Sequence, residues 1–188
     1  YIPTMSTRVR LILTLILMLA AKTSLHAQRI AVTSNLLEDV VLTPNIGVDI
    51  VVADRQSITF DASFAPYKLT EQFHNKTMAF RAGYKYWFSQ ALYAHYIGVD
   101  AVASSSDIGL GRNQFRDEYI GIGVGYGYSF IIGKKLNIVP GIGVGLAYGN
   151  SYEGYDHMNS GQGVQAVATP GFKPILTRLS VTIQYVLK

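Results

Sequence analysis

From residue 119 to residue 148, large apolar side chains fall on every second position. Ile120, Ile122, Val124, Tyr126, Tyr128 and Phe130 alternate with Gly121, Gly123, Gly125, Gly127 and Ser129; past a turn at 133–135, Leu136, Ile138, Ile142, Val144, Leu146 and Tyr148 continue the pattern. A period of two sends neighbouring side chains to opposite faces of an extended chain, so the two runs predict a β-hairpin. The last run predicts another strand, with Ile175, Thr177, Leu179, Val181, Ile183, Tyr185 and Leu187 on one face and Arg178, Ser180, Thr182 and Gln184 on the other. Four more runs precede the hairpin. Ile46, Val48, Ile50 and Val52 oppose Gly47 and Asp49; Ile58, Phe60, Ala62 and Phe64 oppose Thr59, Asp61 and Ser63. Met78, Phe80, Ala82, Tyr84, Tyr86 and Phe88 oppose Arg81, Gly83 and Lys85; Val99, Ala101 and Ala103 oppose Gly98, Asp100 and Ser104. With a weaker first strand at 29–37, the expected number is eight.

The second face decides what the first one meets. A soluble sheet turns charged and polar side chains to water, whereas here that face is glycine, serine and a few isolated charges. The reverse arrangement fits better: an apolar belt meeting lipid around a narrow, closed lumen lined by small and polar residues. An eight-stranded barrel has only enough room for side chains to fill it. Glycines on two adjacent strands then make space for Arg81, Lys85, Tyr96 and Arg178 reaching from the far wall. The fold class expected is all-β, an eight-stranded antiparallel up-and-down transmembrane β-barrel with a filled lumen.

Connection lengths agree. Short connections are expected near 54–56, 89–91 and 133–135, and long ones near 67–76, 107–117 and 151–173, as in bacterial outer-membrane barrels. An even strand number puts both termini on one side, the periplasm. Aromatic girdles are expected at both rims, Tyr86, Phe88, Tyr93, Tyr128, Phe130 and Tyr185 at the periplasmic one and Phe64, Tyr67, Phe80, Tyr148 and Tyr152 at the outer one. Pro140 removes a ladder donor and predicts a bulge.

Composition adds a location. The chain is 49% apolar and 15% charged, against about 25% charged in soluble domains. Arg8 and Arg10 precede an apolar run at 11–21, then "KTSLHAQ". That is the layout of a secretory signal peptide cleaved after Ala27, giving a signal at 1–27, with Met5 as a candidate start, and a barrel at 28–188 in a Gram-negative outer membrane. The 11-residue run is too short to span a bilayer. The formal charge of +4 falls to about +1 without Arg8, Arg10 and Lys22, which argues against a nucleic-acid partner. The chain has no cysteine, so a closed hydrogen-bonded sheet must supply its stability.

Little of the chain suggests catalysis. Neither glycine run contains a dinucleotide fingerprint, and the spacing before Lys135 departs from a phosphate-binding loop. His74, His95 and His157, with Ser104, Ser105, Ser106 and Ser151, provide components for a rim hydrolase, but no spacing singles out a triad. Glu153, Asp156 and His157 make a weak cation site. No catalytic residue, cofactor or metal is therefore assigned. The inward charges form a clearer group: Asp49, Asp61 and Asp100 must pair with Arg81, Lys85 and Arg178, because unpaired buried charge is very costly. A structural ion-pair plug is the expected role, with a proton or ion path the alternative. Lys68, Lys76, Arg112, Arg116 and Lys173 are candidate contacts to lipopolysaccharide phosphates.

The segments "SNLLEDVVLTPNIGVDI" (34–50), "YKYWF" (84–88), "GVGYGYSFIIGKKLNI" (123–138) and "GFKPILTRLSVTIQYVL" (171–187) resemble domain of unknown function 3575, a family of small outer-membrane barrels. Asn35-Leu36-Leu37 and Thr43-Pro44-Asn45 are its most distinctive elements. More distantly the architecture is similar to the OmpX and OmpA barrels. The resemblance implies an anchor or surface structure embedded in outer-membrane lipid, delivered by the barrel assembly machinery, with no established activity. Proximity of such genes to fimbrial ones implies a second reading, a part in fimbrial or envelope assembly. A lipid-modifying enzyme is the third, and a soluble lipocalin-like barrel is the structural alternative.

Overall fold

The computed structural model describes residues 29–68, 73–110, 113–153 and 168–187. Eight strands run in chain order: β1 (Ile30–Asn35), β2 (Asn45–Ala53), β3 (Gln56–Lys68), β4 (Phe73–Trp87), β5 (Ala94–Leu110), β6 (Asn113–Ile131), β7 (Leu136–Glu153) and β8 (Ala168–Val186). Each pairs antiparallel with its chain neighbour, and β1 closes the ring on β8 through the register Ala31↔Val186 to Asn35↔Thr182. The weak first strand is therefore the closing stave. Closure pairs every strand on both sides over the part nearest the chain ends, whereas β8 before Thr182 and β3 beyond Ser63 rise past the short β1 and β2.

Both described ends of the chain and the connections at 54–55, 88–93 and 132–135 share one rim, here termed the terminal end. At the opposite rim a short helix, α1 (Leu36–Val40), joins β1 to β2. This cap end is uneven. β1 and β2 have 6 and 9 residues, whereas β4 to β8 have 15 to 19.

Two of the connections expected to be long are instead tall hairpins. Pairing continues through Tyr67↔Asn75 and Lys76↔Asp107 to Leu110↔Asn113, because residues whose polarity suggests a loop still have ladder partners. The third expected loop is strand at both ends, Glu153 closing β7 and Ala168 opening β8.

The faces divide as the alternation requires. Ile120 and Ile122 are each about 70% exposed on the outside, with Phe60, Phe80, Val124, Ile142 and Leu146 exposed beside them. Inside, Asp49, Ser57, Thr59, Lys85, Asp100, Arg178 and Gln184 are buried. Aromatic rings gather toward both rims. Tyr128 packs on Phe130 at 4.4 Å near the terminal end, and Tyr148 on Phe172 at 5.1 Å near the cap end.

Two expectations change at β7 and β8. No register shift occurs at Pro140, which pairs in order with Val181; the β6–β7 ladder merely skips from Gly127↔Gly141 to Phe130↔Ile138. The shift lies on the β8 side, where Gly143 faces Arg178 but Val144 faces Leu176. Thr177 is the extra residue. Thr177 and Arg178 are both buried in succession, so residues before the bulge change face: Leu176 and Phe172 point outward, while Ile175 and Thr177 point inward. Alternation read straight across a bulge inverts every position beyond it.

Candidate functional site: the charged lumen beneath the cap

The lumen is filled in layers. At the terminal end Trp87, Tyr96, Ala31, Ala91, Leu92 and Val139 form a buried apolar cluster. Trp87 donates from its indole nitrogen to Ser57 Oγ at 3.0 Å and packs against Tyr96 at 4.8 Å. Tyr96 does not reach from the far wall but fits over the glycines of the neighbouring strands, Gly127 being its register partner on β6. A Cβ at Gly127 would lie 2.5 Å from the Tyr96 ring, and one at Gly141 would lie 2.7 Å from its hydroxyl. Other glycines allow close backbone approach: at Gly145 a Cβ would collide with the Ile122 carbonyl oxygen of β6.

Above this plug lie the charges. Lys85 donates to Asp49 Oδ2 at 2.9 Å and stands 5.1 Å from the centre of the Tyr96 ring. Gln184 donates to the same Asp49 oxygen at 2.7 Å. Arg178 reaches from β8 to Asp100 on β5, donating from Nε at 3.2 Å and from Nη2 at 2.7 Å, one bond to each carboxylate oxygen. Asp61 sits between two guanidinium groups, 3.7 Å from Arg178 and 3.9 Å from Arg81. Arg81 also donates from Nε to the Thr177 carbonyl at 2.9 Å, a bond made available by the bulge. All six charges named from the sequence thus lie in one lumen.

A seventh charge joins them that the strand pattern does not reveal. Glu38, the third residue of α1, reaches Arg81 at 3.7 Å, accepts from Asn35 Nδ2 at 2.9 Å and accepts a short hydrogen bond from Ser63 Oγ. Among the described residues this network therefore contains four acids and three bases, rather than three of each. Alternation cannot find Glu38, because it belongs to a helix in a connection. The signal that could have found it is Asn35 followed three residues later by Glu, an N-cap pattern.

The distinctive motif residues build this cap. Asn35 accepts from Leu37 N at 3.3 Å as N-cap and from Val181 N at 3.1 Å, and donates to Leu179 O at 3.3 Å, so it also ties β1 to β8. Asn45 accepts from Asn35 N at 2.6 Å and donates to Asn35 O and Asp39 Oδ1, each at 3.0 Å. Thr43 is buried and accepts from Asn75 Nδ2 at 3.0 Å.

The model of the family described as "Protein of unknown function (DUF3575)" matches residues 13–187. The chain belongs to this family. No curated protein and no solved structure matches it. In this DUF3575 barrel, Asn35 and Asn45 are thus the frame of a cap over a closed, charged lumen.

The candidate lipopolysaccharide contacts divide. Lys76 and Arg116 project from the outward face near the cap end, flanking Asp107 in register; Arg116 Nη2 also pairs with Glu118 at 2.8 Å. Lys173 is a correction: it lies on the inward face beyond the bulge, donating to Asp117 at 2.8 Å with its ammonium 5.2 Å from the Tyr119 ring centre. Lys68 ends β3, its side chain outside the described set, and Arg112, Asp156 and His157 lie outside the described residues. His74 meets Asp107 at 2.9 Å toward the cap end, and His95 meets the Tyr126 hydroxyl toward the terminal end. These two histidines of the DUF3575 chain are at opposite rims.

Proposed function

We propose that this DUF3575 protein is a non-catalytic structural barrel of the Gram-negative outer membrane, an anchor whose cap end forms a surface-contact element. The observation that carries the reading is the inversion of the faces: apolar side chains are exposed around the barrel while charged and amide side chains are buried in its lumen. Water selects against that arrangement and hydrocarbon selects for it. Export by a signal peptide and insertion by the barrel assembly machinery accord with it. Both termini then lie in the periplasm and the cap faces outward. Lys76 and Arg116, on the outward face above the apolar belt, are suited to lipopolysaccharide phosphates.

A lumen filled by Trp87 and Tyr96 at one end and crossed by the Arg178–Asp100 and Lys85–Asp49 pairs supports an anchor rather than a pore. Reconstitution into planar bilayers tests this part. A stable barrel with no single-channel steps is the expected result; discrete, voltage-dependent conductance would contradict it.

A further inference from the structure

We propose that α1 and the turn after it form a releasable cap, held over the lumen by the Glu38 carboxylate, and that its release opens the lumen to water and small solutes. The cap lacks the usual means of holding a segment in place. None of the residues of α1 is buried; Leu36 is half-buried, but Val40 is 78% exposed, and Val41 and Leu42 of the turn after the helix 63% each. Leu42 has φ of +57°, a left-handed conformation unfavourable to a bulky side chain. Apolar burial therefore contributes little to the closed state.

Polar contacts supply the hold. Glu38 accepts from Ser63 on β3 and Asn35 on β1, and faces Arg81 on β4. Asp39 accepts from Ser34 and Asn45, and Asn75 donates to Thr43 and to the Val41 carbonyl. Glu38 and Arg81 retain 22% and 17% side-chain exposure, against 1% for Asp49 and 4% for Asp100. With Asp61 at 20%, the Glu38–Arg81–Asp61 side of the network is the part nearest to water, where ion pairs are weakest.

Charge balance points to the same residue. Without Glu38, Asp49, Asp61 and Asp100 still face Arg81, Lys85 and Arg178, and Arg81 keeps Asp61 at 3.9 Å. Glu38 can therefore leave without stranding a buried cation; Asp61 is equally dispensable by this count but is fixed on β3, whereas Glu38 sits in the connection between strands. The apolar cluster of Trp87 and Tyr96 stays in place below, so release exposes the charged layer from the cap end and opens no channel.

The chain has no cysteine, which makes a direct test available. Thr33, 5% exposed, and Ala65, 1% exposed, face inward near the cap. Each is replaced in turn by cysteine, and its reaction with a charged, membrane-impermeant thiol reagent is timed in protein reconstituted in vesicles, with folding confirmed by gel mobility before and after boiling. Glu38→Ala should raise the labelling rate at both positions by about 5- to 30-fold. Glu38→Gln should raise it by a smaller factor, since the amide keeps one oxygen for one of the two donors, Asn35 or Ser63, that the carboxylate serves through separate oxygens. Added salt should accelerate labelling in the protein with its native Glu38 but not in the Glu38→Gln variant. Folded Glu38→Ala protein that labels at the native rate would overturn the proposal, as would a native rate indifferent to salt.

Discussion

Arg178 crosses the lumen from β8 to Asp100 on β5, its Nε and Nη2 each bonding one carboxylate oxygen, at 3.2 and 2.7 Å. The two residues are 78 positions apart in the chain and brace non-adjacent walls. Both are nearly fully buried, so removing one partner leaves the other uncompensated. Arg178→Met should therefore lower unfolding stability by about 3–5 kcal/mol, measured by urea denaturation in lipid vesicles. The double variant Arg178→Met/Asp100→Asn should recover part of that loss. A double-variant loss equal to the sum of the Arg178→Met and Asp100→Asn losses would show that the pair is not coupled.

Gly127 is expected to matter for its absence of a side chain. A methyl group there would overlap the Tyr96 ring, which is itself enclosed by Trp87 and Lys85. Gly127→Ala should destabilise by about 1–3 kcal/mol through overpacking. The same change in a Tyr96→Leu background should cost clearly less. Thermal melting followed by gel mobility measures both, and additive effects would contradict the fit between ring and glycine.

Asn35 links the cap, the first strand and the barrel seam through bonds to Leu37, Val181, Leu179 and Glu38. Asn35→Ala should cost about 2–3 kcal/mol, at the upper end for buried groups that lose their partners. Asn75→Ala, which removes contacts to Thr43, the Val41 carbonyl and the neighbouring Thr77 hydroxyl but none across the barrel seam, should cost less. Urea midpoints of the two variants decide the order.

Ile122, 70% exposed near the middle of β6, reports on the surrounding medium. If hydrocarbon surrounds it, Ile122→Arg should destabilise by about 2–4 kcal/mol in a bilayer, whereas an arginine at Leu136 or Leu187, beside a rim, should cost about 1 kcal/mol or less. A uniform, negligible cost at all three positions would mean that water surrounds the barrel.

What can be read from the chain follows from what repeats along it. Strands and their faces are legible because every second residue carries the signal, and the inward positions of Asp49, Asp61, Asp100, Arg81, Lys85 and Arg178 follow directly. Features that break the period are not. The bulge at Thr177 reverses the faces of Ile175 and Lys173, and no proline or glycine at that position announces it, while Pro140, which carries such a signal, keeps its register. Glu38 is hidden for a related reason: it acts from a helix between strands, so only the N-cap spacing from Asn35 marks it. Tall hairpins resemble loops because polar residues near a rim alternate with other polar residues. Their pairing partners, such as Lys76↔Asp107 and Asp107↔Arg116, lie on other strands and cannot be seen locally.

Cell fractionation addresses the outward-facing belt most directly. Expressed from its full sequence, the protein should sediment with the outer membrane, resist extraction by alkaline carbonate, require detergent for solubilisation, and change gel mobility on boiling. Recovery as a detergent-free, soluble monomer from the periplasmic extract would contradict the assignment of that belt to lipid.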